Sequence, residues 1–127
     1  MNYVFIINPV AGKGGQQDEI AGRIRKFFEN RSEDSIHIYL SKCAGDAIRF
    51  GKDYPLPEGE ETCFVACGGD GTFYEVVNGA FGRPNVSFAI YPCGSGNDFI
   101  KSVGGKPSDY LNLQNLVDGQ NKVYDAI

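Results

Sequence analysis

Hydrophobic positions change period along this chain. Residues 3–7 (YVFII) form a continuous apolar run closed by Asn8-Pro9. That run predicts a buried strand, because Pro9 has no N–H for a central ladder. Over residues 16–29, Ile20, Ile24, Phe27 and Phe28 stand at i, i+4, i+7 and i+8, one face of a helix. Ile36, Ile38 and Leu40 then alternate with His37 and Tyr39, a period of two that predicts a second strand. Residues 45–53 return to a helical pattern with Ala47, Ile48 and Phe50 apolar, ended by Tyr54-Pro55-Leu56-Pro57. Residues 62–67 (TCFVAC) predict a third strand and residues 86–91 (VSFAIY) a fourth. Between them, residues 72–81 predict a helix with Phe73, Val76, Val77, Ala80 and Phe81 inward. A short helix is expected after Asn97-Asp98. Another is expected from a Ser108 N-cap to about Asp118, with Gly119 as its stop. The last residues, KVYDAI, predict a strand that is cut short.

Strand and helix alternating over short connections is the pattern of an α/β domain with a parallel sheet and helices on its faces. Right-handed crossovers follow. Such sheets bind ligands at the carboxyl ends of their strands. No internal repeat and no low-complexity linker interrupts the pattern.

Composition narrows the function classes. The chain has 127 residues, so it is one domain or part of one. Twelve Lys+Arg against sixteen Asp+Glu give a net charge of -4. This excludes a sequence-blind nucleic-acid binder and a polybasic membrane anchor, both of which need a basic footprint. Cys43, Cys63, Cys67 and Cys93 form no CxxC pair, and Cys63 and Cys67 fall four residues apart on a predicted strand. Strand geometry puts them about 13 Å apart, too far for a disulfide or a shared metal. Reduced, structural cysteines in a cytosolic protein are the expectation. The first residues carry no basic stretch, and their apolar run is too short for a signal peptide or a transmembrane helix. His37 has no accompanying nucleophile or metal pattern and is read as structural.

Glycine is the outlier, 17 residues or about 13% against a usual ~7%, and much of it is clustered where strands should end. Asn8-Pro9-Val10-Ala11-Gly12-Lys13-Gly14-Gly15 follows the first strand. An amide-rich loop before a helix suits a phosphate, with Lys13 as an added charge. It matches neither GxxxxGK[ST] nor GxGxxG, and a plain strand-to-helix turn is the alternative. Gly68-Gly69-Asp70-Gly71-Thr72 follows the third strand. Its successive amides can form an anion nest, with Thr72 as a hydroxyl donor. Asp70 beside an anion points to Mg²⁺, a water on Mg²⁺ or a ribose hydroxyl, with a helix cap as the alternative. Glu75 and Asn78 stand farther along the same helix, either at the edge of the site or on the surface. Pro92-Cys93-Gly94-Ser95-Gly96-Asn97-Asp98-Phe99 follows the fourth strand. Ser95 is a phosphate donor there, and Asn97 and Asp98 are open between capping and ligand contact. Three adjacent strand ends therefore converge on a site suited to a phosphate-bearing ligand.

At these clusters the chain resembles the N-terminal domain of diacylglycerol kinase-type lipid kinases, a family that includes sphingosine and ceramide kinases. The resemblance is carried by NPVAGKG at 8–14, GGDGTFYEVVNG at 68–79 and PCGSGNDF at 92–99, and it covers nearly the whole chain. GGDGT alone is shared with NAD kinases and 6-phosphofructokinases; EVVNG and GSGNDF favour the lipid kinases. The resemblance implies a three-layer, Rossmann-like parallel sheet with helices on both faces. It implies ATP and Mg²⁺ as cofactors. The nucleotide-contacting positions map to Asn8, Pro9, Val10, Ala11, Gly12, Ser41, Gly69, Asp70, Gly71, Thr72, Phe73, Tyr74, Glu75 and Ser95. Ser41 enters through Leu40-Ser41-Lys42-Cys43-Ala44-Gly45-Asp46-Ala47, where a Thr before a GDA sequence is usual. Asp70 is the catalytic assignment, organising phosphates and, through water, Mg²⁺; no other metal ligand is assigned. Cys93 and Phe73-Tyr74 depart from the commoner Met or Leu and Leu-Asn.

Complete members of the family are about twice this length. Their second, β-rich domain supplies the lipid pocket and the general base. Residues 1–127 are accordingly read as an ATP-binding N-terminal domain, with KVYDAI resembling the strand into the absent domain. The parent is expected to transfer the ATP γ-phosphoryl group to a lipid hydroxyl, with the 127-residue piece inactive alone. The implied partners are a nucleotide and a lipid, not nucleic acid. The parent is expected in the cytoplasm, with room for peripheral contact at the inner membrane face and for an oligomer. The alternatives are an NAD kinase-like enzyme and a non-catalytic nucleotide-binding module.

Overall fold

The fold is that of a computed structural model, which describes residues 1–8, 17–43, 45–67, 70–91, 113–114, 116–118 and 122–124. For Asp70 and for residues 122–124 the description is of the main chain. The elements run β1 (Asn2–Ile7), α1 (Gln17–Phe28), β2 (Ser35–Leu40), α2 (Asp46–Asp53), β3 (Thr62–Cys67), α3 (Asp70–Ala80), β4 (Val86–Tyr91) and β5 (Lys122–Tyr124). Each expected strand and helix up to residue 91 is present within two residues of its predicted ends. Residues 113–114 and 116–117 are helical, inside the span expected to begin at Ser108. Ser108, Gly119 and the short helix after Asn97-Asp98 lie outside the described residues.

The strands form one sheet in the order β2-β1-β3-β4-β5. The first four are parallel. β5 pairs antiparallel with β4, a departure from the parallel expectation. An antiparallel strand at the edge of an otherwise parallel sheet is a common arrangement.

Position in the sheet explains the two kinds of strand pattern. β1 and β3 are central, and every residue in each is buried. A strand covered on both faces has no polar side to show, hence YVFII and CFVAC. β2 is an edge strand with exposed and half-buried residues, which is why it alone alternates cleanly. On one face, Tyr3, Phe5, Ile7, Cys63 and Val65 pack with Ile20, Ile24, Phe27 and Phe28 of α1 and with Leu113 and Leu116. On the other, Val4, Ile6, Phe64, Ala66 and Phe88 pack with Ala47 of α2 and with Val76 and Ala80 of α3. Cys63 and Cys67 are buried thiols and Cys43 an exposed one, as expected for reduced cysteines. Phe81 corrects the inward set. It follows the end of α3 and is 50% exposed, because the chain turns there through Gly82 at φ 86°.

Helices α2 and α3 share a face of the sheet and touch through glycines. A Cβ on Gly79 would stand 2.6 Å from the Ile48 carbonyl oxygen and 3.0 Å from Ile48 Cα. A Cβ on Gly51 would stand 3.3 Å from the main chain of Gly79 and Ala80. Arg83 Nη1 donates to the Gly51 carbonyl at 2.6 Å, closing the same contact. Gly79→Ala is therefore expected to lower stability by about 1–3 kcal/mol in urea unfolding, since backbone rather than a flexible side chain must move. Gly22, exposed on α1 with nothing within 4 Å of an added Cβ, is the control. Gly22→Ala should raise stability by roughly 0.5–1 kcal/mol. A Gly79→Ala variant as stable as Gly22→Ala would show that the two helices do not need this approach.

Candidate functional site

Register sets the four parallel strand ends level. Ile7 pairs with Leu40 and with Cys67, and Cys67 pairs with Tyr91. At a strand spacing of ~4.8 Å, these ends span about 14 Å. Next along the chain come Ser41, Asn8, Gly68 and Pro92. Every segment singled out from sequence thus starts from one line, the carboxyl edge of the sheet. The line contains the topological switch. From β1 the chain steps outward to β2 through α1, then crosses back over β1 to β3 through α2 on the opposite face. Helices leaving β1 and β3 lie on opposite faces, which makes the gap between those strand ends a topological switch point, where ligands of such sheets bind.

Of the residues assigned to the site, Asn8, Ser41, Gly71, Thr72, Phe73, Tyr74 and Glu75 are described, as is the main chain of Asp70. Pro9, Val10, Ala11, Gly12, Lys13, Gly69 and Ser95, with Cys93, Asn97 and Asp98, lie outside the described residues. Asn8 is half-buried, one residue past β1. Helix α3 starts at Asp70, three residues beyond the end of β3. The first N–H groups of a helix have no partner within it, so Asp70, Gly71 and Thr72 bring main-chain donors to this edge. A Cβ on Gly71 would meet nothing within 4 Å among the described residues, and no positive φ marks the position. Among the described residues nothing packs against that position, so no described neighbour demands glycine there.

Side chains of the following turn diverge, as successive helix positions must. Thr72 is buried, Phe73 packs against the core of the α2/α3 face, Tyr74 is 69% exposed and Glu75 is half-buried. Asn78 Nδ2 donates to the Tyr74 carbonyl at 2.8 Å, a bond within the helix.

On the other side of that gap, Ser41 is buried and leans on β1. Its N–H donates to the Ile7 carbonyl at 2.9 Å, and its Oγ donates to the same oxygen at 3.4 Å. With that proton committed, the hydroxyl offers a lone pair, which suits a ligand donor better than a phosphate oxygen. The loop after Ser41 is held by a residue that sequence reading left out. Asp46 Oδ2 accepts the Lys42 N–H at 2.7 Å and the Tyr39 hydroxyl at 2.7 Å. The Tyr39 ring stacks on Phe50, centroids 3.8 Å apart and planes 7° from parallel. Gly45 turns the chain at φ 84° into α2, whose first residue is Asp46. The Lys42 N–H, then the Tyr39 hydroxyl, hold the Asp46 carboxyl below its ordinary range. The same bond pushes the Tyr39 phenol up. An Asp opening a helix directly after a glycine was the available signal.

Residues 2–127 match the family model of the diacylglycerol kinase catalytic domain. The chain belongs to that family. It is 34% identical over 114 residues to a diacylglycerol kinase of Bacillus subtilis, covering 89% of this chain and 36% of that protein. It is 33% identical over 123 residues to a diacylglycerol kinase of Staphylococcus epidermidis, covering 95% of this chain and 37% of that protein. A sphingoid long chain base kinase of Saccharomyces cerevisiae is 31% identical over 107 residues, with 72% of this chain and 14% of that protein covered. A crystal structure of a diacylglycerol kinase from Bacillus anthracis superposes with a TM-score of 0.60 at 21% identity. It covers 95% of this chain and 44% of that one, and at this identity the likeness concerns the fold. The chain therefore spans well under half the length of these diacylglycerol kinase relatives.

The low-pKa carboxylate of this kinase-family domain gives a signed pH dependence. A carboxyl held below its ordinary value contributes stability above that value, 3.8, and loses it as pH falls through the folded one. The melting temperature of the wild type should exceed that of Asp46→Asn at neutral pH. The gap should close as pH falls below 3.8. A gap that is constant from neutral pH to pH 3 would show that the Asp46 charge is not what holds the loop.

Proposed function

We propose that this chain is the ATP-binding domain of a lipid kinase whose parent transfers the γ-phosphoryl group to a lipid hydroxyl, with diacylglycerol as the acceptor class. The observation that supports the reading is the switch in strand order between β1 and β3, with the start of α3 following β3 at that edge of the sheet. Family membership and the names of the relatives support the kinase chemistry and the lipid class.

Phosphoryl transfer asks for positioning and charge stabilisation rather than covalent help from the protein. Main-chain donors at Gly71 and Thr72 would take phosphate oxygens, with Gly69, Ser95 and the Asn8–Gly12 segment as further contacts. The Ser41 lone pair fits a ribose hydroxyl or a base amino group. Glu75 and Tyr74 follow at the same edge. No group of three or more His, Cys, Asp or Glu that could hold a metal occurs among the described residues. In this reading Mg²⁺ would be carried chiefly by the nucleotide phosphates, with Asp70 as the protein's carboxylate. Bound there, the ion would neutralise charge on the phosphates. In this reading a second domain of the parent supplies the lipid pocket and the base that takes the hydroxyl proton. No helix among the described residues is long and apolar enough to cross a membrane. Contact with the lipid substrate is accordingly read as peripheral.

The 127-residue chain is expected to bind ATP saturably in calorimetric titration and to phosphorylate no diacylglycerol by itself. Gly71→Ala should leave the melting temperature unchanged or raised, because alanine favours helix, yet weaken ATP binding. Asp70→Ala should abolish turnover in the parent. Undiminished ATP affinity in Gly71→Ala would remove the α3 N-terminus from the site.

A further inference from the structure

We infer that Asp46 is a positioning residue for the nucleotide site, clamping the chain just after Ser41 to the carboxyl end of β2. The inference rests on the nucleotide reading above and adds a residue outside every contact assigned to it. One carboxylate oxygen holds two elements at once. Through the Lys42 N–H, Asp46 fixes the first residue after Ser41; through the Tyr39 hydroxyl, it fixes the last turn of β2 before Ser41. Ser41 is thus bracketed on both sides by bonds to a single atom.

The clamp is supported from behind. Tyr39 and Phe50 are stacked, and Phe50 lies one helical turn beyond Asp46 on α2, so ring and hydroxyl are held by the same face of one helix. The Asp46 N–H donates to the Cys43 carbonyl at 3.1 Å, drawing the loop into a turn. Gly45 at φ 84° permits that turn, and no described residue lies within 4 Å of where its Cβ would be, so its backbone conformation accounts for the glycine. As the first residue of α2, the carboxylate also sits at the positive end of the helix dipole. Without the clamp, the bonds left to Ser41 among the described residues are those to Ile7.

Cys43 is an exposed thiol inside the clamped loop and serves as a built-in reporter. The experiment measures two things on the 127-residue chain: the alkylation rate of Cys43, followed by mass on the tryptic peptide 43–49, and ATP affinity by calorimetry. Asp46→Ala removes both acceptor bonds. Tyr39→Phe removes one and keeps the ring stack, so it remains informative if Asp46→Ala fails to fold. Both should raise Cys43 alkylation and weaken ATP binding, by up to about tenfold for each lost bond. Asp46→Asn, which keeps an acceptor oxygen, should recover part of both. A purely structural residue would move the melting temperature without changing the ATP affinity of the folded fraction. Wild-type ATP binding that Tyr39→Phe and folded Asp46→Ala leave unaltered overturns this inference and spares the nucleotide reading. Unchanged Cys43 alkylation in both variants overturns the clamp itself. Absence of ATP binding in the wild type overturns the nucleotide reading, and this inference with it.

Discussion

Burial of β1 and β3 on both faces is the constraint on which the rest of this domain depends. Neither strand presents a polar side, so each face of the sheet must be covered by helices. A right-handed crossover from β1 out to β2 puts α1 on one face; the return to β3 and on to β4 puts α2 and α3 on the other. Two apolar central strands therefore entail three layers. Three layers with this strand order entail a topological switch point between the carboxyl ends of β1 and β3. The candidate site follows from where the core had to be.

Two close contacts then tune that frame. Gly51 and Gly79 let α2 and α3 approach until main chain meets main chain, which no side chain at either position would allow unchanged. Helix α2 is thereby fixed against α3, and α3 carries the main-chain donors at the rim. Asp46 at the start of α2 is fixed as well, and through it the loop that follows β2. The two sides of the switch point, α3 and the chain just after Ser41, are linked through one helix pair. Small residues in that pair do the work of spacing and a single carboxylate that of attachment.

Much of this was legible in the sequence because periodicity reports burial. Continuous runs marked the central strands, alternation marked the edge strand, and the i, i+4, i+7, i+8 set marked the buried side of α1. The convergence of strand ends followed from the βαβ pattern, and register then levelled them. Phe81 was misread because the 3.6-residue period was carried one position past Ala80, where the helix had already ended. The direction of β5 was not legible, since strand pattern carries no polarity. Asp46 was passed over for a different reason. Gly45-Asp46 at a helix start signalled a cap, but the bonds to Tyr39, seven residues away, and to the Lys42 N–H are not written in that pattern. Gly71 and Gly79 looked alike in sequence. Only the described neighbours around each separate a glycine that packing demands from one that no described residue crowds.

That last distinction bears on how the site tolerates change. Where phosphate is held by main-chain donors at a helix start, side chains in the first turn are free to vary so long as they clear the rim and fill the core behind it. Phe73 and Tyr74, in place of the family's commoner Leu-Asn, divide those two tasks. Phe73 packs against the α2/α3 core, whereas Tyr74 stands 69% exposed. The departure from the family pattern therefore changes what surrounds the donors without removing any of them. Ser41 is the opposite case. Its contribution is a side-chain oxygen, it is buried, and its orientation is set by Ile7 and by a clamp from another element. On the proposed nucleotide reading, the α3 side of the site depends on backbone and the β2 side on side chains, so a single substitution on the β2 side would change which ligand group fits.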